Sequence, residues 1–376
     1  MIIPLLPFYA QRMGASDLVI GLLLSSYAIC QFLAGPILGR LSDHYGRKPL
    51  LMLSQAGTLA GFILLAAANA LWLVFVARIV DGITAGNISL AQAYISDVTP
   101  PEKRAQSFGM IIGIAFGIGF TIGPGISAEL ARFGYVYPIL AACCLSFCSI
   151  LCTAFLLPRN APTPEGGEAP GPVAAAERPS FLNPKPYFEF FRRPELRPLL
   201  LQFLCFALSF SAFFSGFALF AQARLNYGVT QVGHVLLAVG LLGILVQGRV
   251  LGRLVATFGE VNLSRGGFLL SGLAGSAVAL ARSTPSLIAA TGALSVGSGL
   301  VRPSVTALIT HKAARYEQGA VLGVTQSLQS IAQILAPPLA TGLIGAGRLD
   351  AFALLAGGFM FAGLAFSLTA RGPMLN

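Results

Sequence analysis

The feature that constrains this chain most is a succession of apolar runs, each about as long as a lipid bilayer is thick. A helix needs roughly 20 predominantly apolar residues to cross the hydrocarbon layer. Runs of that length stand at 17–38, 47–68, 71–96, 104–131, 135–157, 198–224, 229–256, 261–282, 285–310, 316–345 and 349–370, separated by short polar hinges. Inside a bilayer every backbone polar group must be satisfied internally, which leaves helices as the structure for such runs. With 55% of residues hydrophobic and 10% charged, the composition agrees, and the expected fold is an all-α polytopic membrane protein. The six cysteines (Cys30, Cys143, Cys144, Cys148, Cys152, Cys205) all fall inside the apolar runs. They read as small packing residues, not as a disulfide framework or a zinc set.

Ahead of the first run stands a short apolar stub, Met1 to Ala10. It is too short to cross a bilayer alone and reads as the second half of a twelfth helix whose first half is truncated or lies upstream of the assigned start. No basic segment precedes it, as a signal peptide would require. Alternate loops differ sharply in charge. Arg40, Arg47, Lys48, Lys103, Arg104, Arg159, Arg178, Lys185, Arg192, Arg193 and Arg197 fall on one side with others, against Arg12, Arg132, Arg224, Arg282 and Arg348 on the opposite side. The positive-inside rule makes the first group cytoplasmic and places the C-terminus inside. The formal charge of +10 is then a topology device, and nucleic acid is not expected as a partner.

The chain also divides in two. Between 158 and 197 the apolar pattern gives way to Pro, Gly, Ala and Glu, ending in an amphipathic piece, Pro186 to Arg193, expected to lie on the membrane surface. Landmarks recur across this linker at an offset of about 213 residues: Gly39-Arg40-Leu41 against Gly252-Arg253-Leu254, Gly46 against Gly259, and Pro124 against Pro337. The expected organisation is an N-terminal helical half over 1–157, a cytoplasmic linker over 158–197 and a C-terminal helical half over 198–376. Paired halves of this kind hold substrate between them near the bilayer midplane.

The most specific motif follows the first complete run: Gly39-Arg40-Leu41-Ser42-Asp43-His44-Tyr45-Gly46-Arg47-Lys48-Pro49. Gly39 and Gly46 allow a tight turn, and Asp43 with the Arg47-Lys48 pair sets opposite charges at a helix boundary. A plain basic, topology-setting loop is the alternative. The spacing resembles the signature loop of the major facilitator superfamily, Gly-x-Leu-(Ser/Ala)-Asp-x-x-Gly-Arg-(Lys/Arg)-Pro, at every defined position. The resemblance implies the major facilitator fold, two six-helix halves, here with eleven full spans plus the stub. It also implies that this loop latches the cytoplasmic side, with Arg47 pairing with Asp97 and Asp43 set against the N-terminus of the span at 316–345.

A second landmark narrows the resemblance. Arg78-Ile79-Val80-Asp81-Gly82-Ile83-Thr84-Ala85-Gly86, followed by Ala93 to Thr99 and Glu102-Lys103-Arg104, is similar to the fourth helix and exit loop of the tetracycline-exporter-like drug:proton antiporters. Gly119-Phe120-Thr121-Ile122-Gly123-Pro124 resembles their fifth-helix signature, although Ser127 and Ala128 replace the usual glycine pair and Ala256 stands where Asp43 would repeat. Gly109, Gly113 and Gly117 add a small-residue ladder suited to close helix packing.

Charge inside a membrane is costly and marks function by default. At 100° per residue an unbroken helix over 71–96 sets Arg78, Asp81, Ser89, Gln92 and Ser96 on one stripe, with Asn87 pointing away. Arg78 and Asp81, three residues apart, can pair so that the carboxylate's protonation responds to its surroundings. Asp81 is therefore the candidate proton carrier, with Arg78 as its partner. A permanent structural ion pair is the competing reading. In the resembled family the motif's arginine is implicated in proton transfer, whereas an acid at the position of Asp81 is not a fixed feature.

Gln326, Gln329, Ser330 and Gln333 share one side of the span at 316–345, and either substrate contact or helix–helix hydrogen bonding explains them. Arg302, beside Pro303, either meets an anionic substrate group or snorkels to the surface. The phenylalanines from Phe203 to Phe220 circle their helix so widely that most are expected to face lipid. The three histidines are scattered, no paired carboxylates share a span, and no glycine-rich loop precedes a Lys-Ser/Thr pair as ATP binding would need. The function expected is export of a small organic or drug-like molecule against protons, by a monomer in the plasma (inner) membrane, with no cofactor beyond the coupling proton. Carriage of a sugar, organic anion, siderophore or lipid, and a non-transporting receptor or scaffold, are the alternatives.

Overall fold

The computed structural model describes residues 2–99, 119, 121–158, 185–245, 251–313 and 317–369. Among them all regular secondary structure is helical: α1 (Ile2–Arg12), α2 (Asp17–Tyr45), α3 (Arg47–Ala66), α4 (Leu71–Ile83), α5 (Asn87–Val98), α6 (121–131), α7 (Val136–Leu156), α8 (Lys185–Arg192), α9 (Arg197–Leu225), α10 (Val229–Leu245), α11 (Leu251–Ala277), α12 (Thr284–Lys312), α13 (Gln318–Gly345) and α14 (Leu349–Thr369), with a 3₁₀ turn at Val278–Leu280. Nine helical stretches among the described residues are long and apolar enough to cross a membrane. Eight of these sit on expected runs, while the ninth, Leu251–Leu280, straddles the boundary between the runs at 229–256 and 261–282, the first of which otherwise contributes the shorter helix Val229–Leu245. Most of the run at 104–131, with its glycine ladder, lies outside the described residues. The protein is a multi-pass membrane protein. Two compact units emerge, one comprising Met1–Ala15 and Leu23–Arg178, the other Ser16–Leu22 and Pro179–Asn376.

The signature segment is less of a loop than its glycines suggest. α2 runs through Gly39 to Tyr45, so only Gly46 separates it from α3. Gly46 has φ 92 and ψ 153, a conformation that costs little only without a Cβ. Gly39, expected to share in the turn, sits in the helix interior facing open space. The second unit repeats the device: Gly259, at φ 72 and ψ 160, kinks α11. The duplication legible in the sequence thus extends to a backbone conformation.

In the first unit α3 is the hub, packing on α7, α4 and α5. Lipid tails are as apolar as leucine, so interhelical hydrogen bonds and close packing hold such helices together. Gln55 Nε2 on α3 donates to Ser149 Oγ at 2.9 Å and Thr153 Oγ1 at 3.0 Å on α7. The stub is a packed element: Leu5, Leu6 and Ala10 of α1 are buried. Tyr9 Oη donates to the carbonyls of Leu65 and Ala68 at 3.1 and 2.9 Å, closing the C-terminal end of α3.

In the second unit α9 is central, against α13, α14 and α12. This overturns the expectation that its phenylalanines face lipid. Phe203, Phe206, Phe213, Phe217 and Phe220 are all buried. Phe213 and Phe220 meet Phe352 of α14 at 6.3 and 5.5 Å between ring centroids, in the range where aromatic pairs add to simple burial. A helix enclosed by neighbours on several sides is apolar all round for the same reason as a lipid-facing one, so periodicity could not separate the two.

Candidate functional site

The expected single helix over 71–96 is broken. α4 ends at Ile83 and α5 begins at Asn87, leaving Thr84, Ala85 and Gly86 outside both helices. Two glycines within five residues, Gly82 and Gly86, weaken helical preference here, and Thr84 Oγ1 turns back onto Val80 O at 2.9 Å and Asp81 O at 3.2 Å. A break inside hydrocarbon frees backbone groups that need partners. Ser54 of α3 supplies two of them with one hydroxyl, donating to Thr84 O and accepting from Gly86 N at 3.0 Å. Gln31 of α2 reaches a third, Ala85 O, at 3.5 Å.

Immediately before the break, Arg78 Nη1 donates to Asp81 Oδ2 at 2.8 Å. Their side chains are 13% and 7% exposed, so the pair is largely removed from solvent. The Arg78 guanidinium lies over the Tyr27 ring of α2, 4.2 Å from its centroid, where the ring face attracts a cation. Thr58 of α3 stands beside the Asp81 carboxylate and accepts from Asn87 Nδ2 at 3.2 Å. Gly61 makes room: a Cβ there would stand 2.9 Å from Asp81 Cβ and 3.0 Å from Ala77 O. Arg78 Nε and Asn87 Oδ1 are buried without a hydrogen-bond partner, so the cluster holds one spare donor and one spare acceptor beside a carboxylate.

The break rearranges the expected stripe. Asn87, expected to point away, joins the Asp81 cluster through Thr58. Ser89 bonds back to Gly86 O at 3.1 Å, and neither it nor Gln92 makes a hydrogen bond with Arg78 or Asp81 among the described residues. The sequence reading missed Tyr27, Gln31, Ser54, Thr58 and Asn87. The Gly82-Ile83-Thr84-Ala85-Gly86 spacing was the signal for a break, because it concentrates weak helix formers within a single turn.

At the end of α2 the expected Arg47–Asp97 pair is formed: Nε donates to Asp97 Oδ2 at 2.9 Å. The same guanidinium reaches Asp43 Oδ1 at 2.5 Å and Ser42 Oγ at 2.6 Å, joining α2, α3 and α5 on one planar fork. Lys48, grouped with this latch in the sequence, does something else. Its Nζ donates to Ala154 O at 2.7 Å and Leu157 O at 2.6 Å, capping the C-terminus of α7, where carbonyls lack intrahelical partners and the dipole favours a cation. Lys48→Met keeps the stem and removes this cap. Since hydrogen bonds from charged donors contribute about 1.5–3 kcal/mol, a lower thermal midpoint in detergent is the expected result.

In the second unit Glu260 occupies the register of Arg47, and its Oε2 lies 3.3 Å from His311 Nδ1, one residue from the register of Asp97. A clamp recurs there, with a carboxylate facing an imidazole. Gln326, Gln329 and Gln333 share one face of α13, the first exposed and the others half-buried, while Ser330 bonds back to Gln326 O. Arg302 is exposed on α12. In α6, Gly123 and Pro124 are buried, and Gly119 is helical and exposed.

A set of bilayer-length helices with a buried ion pair at a broken span, and a charged clamp repeated between duplicated halves, defines a membrane carrier. The chain belongs to the Major Facilitator Superfamily, whose family model matches residues 1–337. Among curated relatives, the class C tetracycline resistance protein of Escherichia coli is 30% identical over 354 residues, covering 92% of this chain and 86% of the relative. Among solved structures, the human organic anion transporter MFSD10 superposes with a TM-score of 0.68 at 24% identity, covering 96% of this chain and 88% of that one. The nucleoside transporter NupG reaches 0.77 at 13% identity, with coverages of 99% and 95%. The tetracycline-exporter resemblance of the motifs therefore extends over most of the sequence, and no catalytic family is indicated.

Proposed function

We propose that this protein is a proton-coupled antiporter that exports a small organic or drug-like molecule by alternating access, with Asp81 as proton carrier and Arg78 as its partner. The observation that carries the reading is the buried Arg78–Asp81 pair beside the break between α4 and α5. A carboxylate held by one cation can exchange it for a proton, and substrate or proton then decides which conformation is favoured. Ser89, Gln92, Gln326, Gln329, Gln333 and Arg302 are the polar residues proposed to meet substrate in the cavity. Gly119, Gly123 and Pro124 are proposed to let the fifth span pack closely against a neighbour. The protein acts as a monomer in the inner membrane with a cytoplasmic C-terminus, without a cofactor.

The test is uptake into proteoliposomes of the purified protein under an imposed pH gradient, across tetracycline-like, organic-anion and nucleoside substrates. Substrate movement that dissipates the gradient supports antiport. Flux of an organic anion or nucleoside without proton movement would replace the drug:proton reading, and no flux would favour a receptor or scaffold.

The Gly39, Asp43, Gly46, Arg47 and Asp97 region is proposed to act as the conformational latch. Removing Arg47 leaves Asp43 and Asp97 facing each other without their shared cation. Arg47→Ala is expected to slow turnover severalfold with no change in the ranking of substrates, as initial rates on two substrates would show.

A further inference from the structure

The α8–α9 corner carries a feature that substrate translocation does not use. Arg193, in the turn between the two helices, makes a two-pronged ion pair with Glu317, Nη1 to Oε2 and Nη2 to Oε1 at 2.7 Å each. Its guanidinium lies 5.0 Å from the Phe190 ring centroid. Phe190 and Leu196 are buried in a core cluster with Leu199, Leu200, Ala313 and Val321. The amphipathic helix is therefore anchored by one face to the second unit instead of resting on the membrane by itself.

Beside this fixed corner is a depression of about 420 Å³ lined by Phe191, Arg192, Arg197 and Leu201. Both arginines are exposed, and neither side chain makes an ion pair or hydrogen bond among the described residues. Glu189 and Glu195, though close in sequence, do not line it. Two arginines lining one depression, with no acidic partner among the described residues, favour an anion whose several oxygens can accept from both guanidiniums.

Position in the helix indicates which anion. α9 has 29 residues, or about 43 Å at 1.5 Å per residue, against about 30 Å of hydrocarbon. Its first residue, Arg197, therefore lies among headgroups, and Leu201, one turn later, points the depression toward the acyl region. We propose that this corner binds an anionic phospholipid, its phosphate between Arg192 and Arg197 and the start of an acyl chain against Phe191 and Leu201. Guanidinium forks match phosphate oxygens, and an anionic headgroup brings no ammonium into the cationic corner. The proposal stands apart from substrate identity and coupling.

The test is native mass spectrometry of the full-length protein in detergent, titrated separately with phosphatidylglycerol and phosphatidylcholine. Phosphatidylglycerol is expected to bind tightly at one site. The double variant Arg192→Gln/Arg197→Gln is expected to weaken it about 30-fold, taking roughly fivefold for each basic residue near the surface. Arg192→Lys/Arg197→Lys should retain most of the affinity. Both residues are exposed, so an unchanged lipid-free thermal midpoint for the variants checks folding independently. Equal binding of the two lipids, or phosphatidylglycerol binding unaffected in the glutamine variant, overturns the proposal. Displacement of phosphatidylglycerol by an equal concentration of inorganic phosphate would make this a free-anion site and overturn the lipid assignment.

Discussion

Asp81→Asn is expected to reduce proton-linked transport to the background leak while the protein still folds and inserts. Asparagine keeps the shape of the side chain and an oxygen that can accept from Arg78 Nη1 and the Thr58 hydroxyl, but it cannot release a proton. The same change leaves Arg78 without a counter-charge in a largely buried setting. Breaking a buried pair on one side costs about 3–5 kcal/mol. Asp81→Asn should therefore lower the thermal midpoint as well as abolish coupling. Arg78→Gln/Asp81→Asn, which removes both charges, should recover much of the stability and none of the coupling. A purely structural pair predicts that this double variant regains both, so proteoliposome flux set beside thermal melts decides between the two. Undiminished gradient-driven flux in Asp81→Asn would end the proposed role.

The second large effect is expected at Ser54. Its hydroxyl serves two backbone groups of the α4–α5 break, Thr84 O and Gly86 N, and Ser54 is fully buried. Ser54→Ala takes the hydroxyl from both and leaves them only the contact they make with each other, Gly86 N to Thr84 O at 2.7 Å, so the loss should reach about 1–3 kcal/mol, the range for one buried group left short of a partner. Ser54→Thr retains the hydroxyl and should cost far less. Thermal unfolding of the three proteins in the same detergent gives the comparison. Ser54→Ala melting at the wild-type temperature would mean that the break finds other partners.

Helix positions were legible because the bilayer fixes a length, and an apolar run of that length has few alternative structures. The Arg47–Asp97 pair was legible through resemblance alone, since nothing in the sequence brings residues fifty positions apart together. The Arg78–Asp81 contact was legible because three residues along a helix is a contact distance. What escaped depended on departures from regular helix. A break of three residues interrupts the register between α4 and α5, so a periodicity carried across it could not foresee that Asn87 bonds Thr58 beside Asp81. Lys48 escaped for a different reason: two adjacent basic residues read alike, yet one faces the carboxylates and its neighbour turns to the open end of α7. Phe203 to Phe220 show that enclosure by protein and exposure to lipid select the same residues.

The two clamps differ in how much charge each ties together, which makes one segment brittle and the other forgiving. Arg47 sits between two carboxylates, and any neutral replacement turns an attraction into a repulsion, softened by the partial exposure of both acids, 46% and 37%. At the matching register Glu260 faces a single imidazole, His311, whose side chain is 68% exposed, so losing Glu260 leaves no pair of like charges behind. Substitutions should therefore be tolerated more readily around Gly259 than around Gly46. Both segments keep a hinge glycine at positive φ, but the first ties that hinge to three charged side chains and the second to one carboxylate and an imidazole.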